Sequence, residues 1–176
     1  TLCDLISKVV DEDGRITIPH FYDKVEEVPA AEREMIAQIP FDEQKYMDAI
    51  GVKQLKGEKG YSTLERNSCR PSFDVCGIWG GYTGEGSKTV LPSKAYAKVS
   101  CRLVPHQDHE TISQLFIDYI NSIAPEYVQV KVTPMHGGEG YVCPISLPAY
   151  QAAEKGFTKA FGKKPLAVRR GGSIPI

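Results

Sequence analysis

Residues 73–105 read FDVCGIWGGYTGEGSKTVLPSKAYAKVSCRLVP, and the alternation inside this stretch decides the fold. From Lys94 to Leu103 the side chains divide cleanly between two faces. Ala95, Ala97, Val99, Cys101 and Leu103 fall on one, and Lys94, Tyr96, Lys98, Ser100 and Arg102 on the other. A period of two over that length predicts a half-buried strand in an antiparallel sheet. Upstream, Phe73, Val75 and Trp79 are apolar at alternate positions, with Gly77 between them, which predicts the partner strand. The glycine-rich connection from Gly80 to Gly86 leads into Ser87-Lys88-Thr89, placing polar donors at the mouth of a hairpin.

Working outward, the chain upstream is helical. Leu2, Leu5, Ile6, Val9 and Val10 share one face of a first helix, and Arg15–Pro19 reads as a short strand. Residues 29–68 read as an inserted layer of short helices. Pro29 suits a first helical position, Asp42 a cap with Gly51 as the stop, and Ser62 with Glu65 a capping box. Downstream, Asp108 caps a helix with Ile112, Leu115, Phe116, Tyr119, Ile120 and Ile123 on one stripe, and Val128, Val130 and Val132 alternate as a strand. The order is helix, insertion, strand, strand, helix, strand. It predicts an α+β fold: a ferredoxin-like two-layer sandwich with helices on one face of an antiparallel sheet, a helical insertion, and a first strand expected before Thr1.

From Met135 the character changes. His136–Gly140 reads as a linker, Ser146 and Pro148 begin a helix that Gly162 stops, Pro165–Val168 reads as a strand, and Gly171-Gly172-Ser173 as a tight loop. Two units are therefore expected, 1–143 and 144–176. The missing initiator Met and the apolar ending at Ile174-Pro175-Ile176 suggest an excised fragment.

Composition narrows the partners. With 21 Lys and Arg against 22 Asp and Glu, the net charge of −1 gives no pull toward nucleic acid or an anionic membrane. No apolar run approaches the ~20 residues of a membrane helix. Five scattered cysteines without a C-x-x-C read as reduced thiols of a cytoplasmic protein.

Several motifs invite chemistry and fail on context. Gly81 and Gly86 have the spacing of a phosphate loop, but Ser87 precedes Lys88 and a Pro92-containing strand follows where a helix is required. His106 and His109, with Asp108 beside them, lack a second ligand cluster and read as solvated turn residues. Glu26-Glu27 reads as a solvated charge pair, and the cysteines have no zinc spacing. Arg102 stands out because it ends a strand on the polar face, and its fork can grip a carboxylate with two bonds. A different class also fits: Lys94, Tyr96, Lys98 and Arg102 on an open sheet face could bind single-stranded RNA, although one tyrosine is a poor stacking platform.

Three stretches taken together, GSKTVLP, SCRLVP and GGSIPI, resemble the zinc-dependent exopeptidases of the aminoacylase, carnosinase and succinyl-diaminopimelate desuccinylase family, most of all its dipeptidase branch. The likeness runs over nearly the whole chain and includes DEDGRITIPHFYDKV near its start. It implies that 1–143 is most of the lid, or dimerisation, domain and that 144–176 returns to a catalytic domain. It implies a homodimer, a dipeptide or acyl-amino-acid substrate, and two zinc ions. The family's metal ligands and its lid histidine match no position here. By resemblance, Thr89 and Arg102 meet the substrate where the lid closes, Arg102 holding its carboxylate, and Gly172 and Ser173 line the same pocket. Arg170 departs from the pattern, standing where many relatives have Glu.

Overall fold

The computed structural model describes residues 1–170. Two strands, β1 (Ser72–Gly80) and β2 (Ala95–Arg102), pair antiparallel, with Ser72 opposite Arg102, Phe73 opposite Cys101 and Val75 opposite Val99. The register then slips between Val75 and Gly77, so that Ile78 faces Ala97 and Trp79 faces Tyr96. One extra residue moves every later side chain to the other face. Trp79 therefore leaves the face of Phe73 and Val75, against the simple alternation expected, and joins Tyr96 on the open face. Their rings stack with centroids 5.3 Å apart and planes 13° apart.

In chain order the helices are α1 (Leu2–Ser7), α2 (Ala30–Ala37), α3 (Glu43–Ile50), α4 (Thr63–Ser68), α5 (His109–Ile123) and α6 (Pro148–Phe161). The main core gathers Val9, Ile16, Ile18, Phe21, Ile112 and Ile120. The root of the sheet packs on it through Phe73 and Cys101, with Phe73 and Phe116 centroids 5.9 Å apart. Farther out, Val75, Ile78, Trp79 and Tyr96 are exposed. The two strands thus form an arm, anchored at Arg102 and free at Gly80.

Sequence chemistry explains the helix ends. Asp108 and Asp42 accept the N–H groups of Thr111 and Lys45, as N-caps do. Ser62 and Glu65 close a reciprocal capping box. Gly51 ends α3 at φ 72°, a left-handed turn that a Cβ would strain. Pro29 sits one position earlier than expected, as the N-cap of α2.

Three expected strands are corrected. Arg15–Pro19 contributes a single bridge, Val10 to Ile16, because the chain returns on itself through the turn at Asp11–Arg15. Val128–Val132 runs without ladder bonds: Val130 and Val132 pack on the core, but no strand among the described residues lies alongside to pair with them. Their alternation encodes burial, and burial alone does not make a ladder. Pro165–Val168 is likewise unpaired among the described residues.

The insertion has a small core of its own, Val28, Ile36 and Cys69 with Ile39 and Leu64. It is held to the rest of the fold in two ways. Gly14, at φ 77°, lies so close to Gly57 that a Cβ would come within 2.6 Å of the Gly57 carbonyl. Arg70, at 2% exposure, lays its fork on Glu58, at 7%, with both bonds at 2.7 Å.

Candidate functional site: the two-stranded arm

Arg102 closes β2 on the open face, exposed and in register with Ser72. The chain just beyond it is pinned. The Val104 N–H donates to Gln107 Oε1 at 3.0 Å, and Gln107 Nε2 donates to the Phe21 carbonyl at 2.9 Å, all within the core. A buried amide with its partners supplied holds one backbone path. Arg102 is thus presented from a fixed strand end, and its planar fork of donors suits a carboxylate.

Thr89 lies in the exposed loop between the strands, beside Val90 and Leu91 at 82% and 88% exposure. Pro92 sits against Gly81 at the free end of the arm. Three residues of chain reach at most about 11 Å from there. The seven steps of β2 to Arg102 span roughly 24 Å. Thr89 belongs to the tip and Arg102 to the root, so one protomer does not bring the two together. Gly172 and Ser173 lie outside the described residues.

The other candidates resolve differently. His106 takes a positive φ of 71°, and its Nε2 stands 3.3 Å from Glu26 Oε1 on the surface. His109 opens α5 and is half-buried rather than solvated as expected, because the linker passes over it so closely that a Cβ on Gly137 would overlap its ring. No group of three His, Cys, Asp or Glu among the described residues is placed to hold a metal ion. All five cysteines are unpaired. Burial pushes the Cys101 thiol up to about 11, with a smaller push from Asp74, so it stays protonated on the apolar face.

Two polar clusters escaped the sequence. The first surrounds Glu58 and Arg70: Arg15 Nη1 donates to Glu58 Oε1 at 3.2 Å, and the Arg70 guanidinium lies over the Tyr61 ring at 4.3 Å. Burial opposes the Arg70 charge, but the bonds to Glu58 outweigh it and raise its pKa. The second is a forked pair between Arg169 and Glu32. Neither has a spacing signal, since the partners are 12 and 137 positions apart, beyond the reach of any helix or strand period.

Comparison with known proteins gives the family. The family described as Peptidase dimerisation domain matches residues 1–128. A Cys-Gly metallodipeptidase of Schizosaccharomyces pombe is 28% identical over 99% of this chain and 37% of its own length. A Beta-Ala-His dipeptidase of Rattus norvegicus is 26% identical, over 99% of this chain and 36% of its own length. The crystal structure of an M20 family metallo-carboxypeptidase from Sulfolobus solfataricus superposes with a TM-score of 0.82 at 29% identity, over 97% of this chain and 38% of that one. The chain thus spans little more than a third of the length of these relatives.

Proposed function

Because the chain belongs to the peptidase dimerisation domain family, we propose that it serves as the lid of a metal-dependent dipeptidase, with Arg102 gripping the carboxylate end of the substrate. Residues 1–143 are the lid and 144–176 the chain's return into a catalytic domain. The observation that carries this reading is the placement of Arg102: a forked cation at the root of an open sheet, held by the Gln107 clamp. An exopeptidase must recognise a free carboxylate, and a guanidinium supplies two parallel bonds to it. The dipeptidase relatives point to the same class of substrate.

The family implies a metal. Two zinc ions, held by residues other than those described here, would supply the activated water. What this chain's own residues do is bind and orient. Arg102 takes the carboxylate, Gly172 and Ser173 line the same pocket, and Thr89 reaches in from the arm's tip. Since tip and root are far apart in one protomer, a homodimer is the arrangement in which each site receives Thr89 from one lid and Arg102 from the other. Unpaired cysteines fit a reducing compartment such as the cytoplasm, and no described helix is long and apolar enough to cross a membrane.

The test is kinetic. In the full-length enzyme, with Cys-Gly as substrate, Arg102→Lys should lower kcat/KM about ten-fold or more, since lysine keeps the charge but loses the fork. Unchanged kinetics would refute the role given to Arg102. The stacked Trp79–Tyr96 pair beside Lys98 keeps a second reading in view, an RNA platform. That reading requires RNA binding that weakens steeply with salt, and the dipeptidase reading requires none.

A further inference from the structure

Gly137, Gly138 and Gly140 lie in the linker that follows His136, and none has a φ in the left-handed region, so backbone conformation does not demand them. Space demands two of them. A Cβ on Gly137 would overlap Cδ2 of the His109 ring and come within 2.6 Å of its Cγ. A Cβ on Gly140 would stand 3.1 Å from the peptide that joins Val104 to Pro105. On Gly138, between them, it would meet nothing within 4 Å. The linker therefore rests on two seats, His109 at the first position of α5 and the turn that follows β2. The first seat works by shape: Nδ1 of His109 is buried with no hydrogen-bond partner among the described residues, so contact alone holds the linker at this nitrogen. The second matters for what it touches. Val104 is buried two residues beyond Arg102, and its N–H already donates to Gln107 Oε1 at 3.0 Å. The linker lies against the very next peptide.

We propose that the linker is a strap, and that His109, Gly137 and Gly140 are positioning residues that seat it against the root of the arm and so fix the stance of Arg102. The inference rests on the reading that gives Arg102 the substrate carboxylate. A guanidinium grips a carboxylate through two parallel bonds, which demand direction as well as distance. The Gln107 bond alone leaves the strand end a pivot, and the strap across the following peptide removes it. A grip that is misdirected weakens binding of substrate and transition state alike, which appears in KM and leaves kcat nearly intact.

The experiment uses the full-length enzyme with Cys-Gly. Gly137→Ala should raise KM about ten-fold, short of the ~10²-fold that a 1 Å misplacement can cost. The value of kcat should stay within about two-fold. Gly138→Ala, in the same linker but with open space around it, should leave KM within about two-fold. Removing the ring makes room for the added methyl, so H109A/G137A should regain most of the loss. Adding Gly137→Ala to Arg102→Lys should cost little more than Arg102→Lys alone, because both act on one grip. Seating is also read without catalysis: cleavage after Glu139 by a glutamate-specific protease should quicken about five-fold in Gly137→Ala and return toward the wild-type rate in H109A/G137A. A merely structural linker predicts instead a lower Tm with KM unchanged well below it, and that result overturns the proposal. So do a Gly138→Ala enzyme as impaired as Gly137→Ala, no rescue in H109A/G137A, and full additivity with Arg102→Lys. Failure of the carboxylate reading itself is seen separately, as an Arg102→Lys enzyme with an unaltered KM, whereas equal cleavage of wild type and Gly137→Ala refutes the strap whatever the kinetics.

Discussion

Arg70 is the most deeply buried charge discussed above, at 2% exposure, and its neutraliser Glu58 is nearly as covered. Removing one member of such a pair leaves the other charge stranded in a poor dielectric. Glu58→Gln should therefore destabilise the protein by about 3–5 kcal/mol in urea titration, and a loss near zero would mean that the pair is solvated in solution. The cysteines give a second check at the same scale. Cys101 has its pKa pushed to about 11 by burial, and Cys69 is buried beside Leu64 with its pKa also raised by burial. A thiol reacts as thiolate. Alkylation of the native protein near neutral pH should modify exposed Cys3 and spare Cys69 and Cys101 until the protein unfolds. Rapid native labelling of Cys101 would contradict the packing of β2 on the core.

Helix caps carry the pH dependence at the scale of elements. Bonds from the Thr111 hydroxyl and then the Thr111 N–H hold the Asp108 carboxyl below 3.8. The folded value lies beneath the unfolded one, so the charged cap favours the folded state above about pH 3.8, and that contribution disappears as pH falls through the lower folded value. Amide exchange at the start of α5 should quicken over that acid window in the wild type and show no such step in Asp108→Asn, whose side chain caps without titrating. An identical acid step in the variant would place the titration elsewhere. The cap of α4 is simpler: Ser62→Ala breaks the reciprocal box and should cost about 1 kcal/mol. These caps were legible in the sequence because a cap is local chemistry, a side-chain oxygen three residues from the N–H it accepts. The hairpin and the stripe of α5 were legible because periodicity reports which face is buried. The slip at Val75/Gly77 was not, since a bulge is recorded only in the pairing, and it carried Trp79 to the other face. Val128–Val132 misled for the complementary reason, showing a strand's pattern where no described partner lies alongside. The same limit hid Glu58–Arg70 and Glu32–Arg169, whose members meet through tertiary folding alone.

At the scale of the whole molecule, one arm serves two ends. Its root presents Arg102 from a pinned strand, and its tip carries Thr89 roughly 10 Å or more away by the reach of the chain. In the homodimer proposed above, that separation has a use, since each pocket would receive a tip and a root from different protomers. Resemblance singled out Thr89 without its distance from Arg102, because motif likeness carries residue types without carrying their spacing in three dimensions. On the proposed reading, the arm and the clamp at Gln107 together deliver Arg102 to a single negative terminus. The most direct measurement compares hydrolysis of Cys-Gly with that of its C-terminal amide, in the full-length enzyme and in Arg102→Lys. The wild type should prefer the free acid by roughly 10–100-fold, and the arginine variant should lose most of that preference; a preference left intact by the substitution would show that some other group reads the carboxylate.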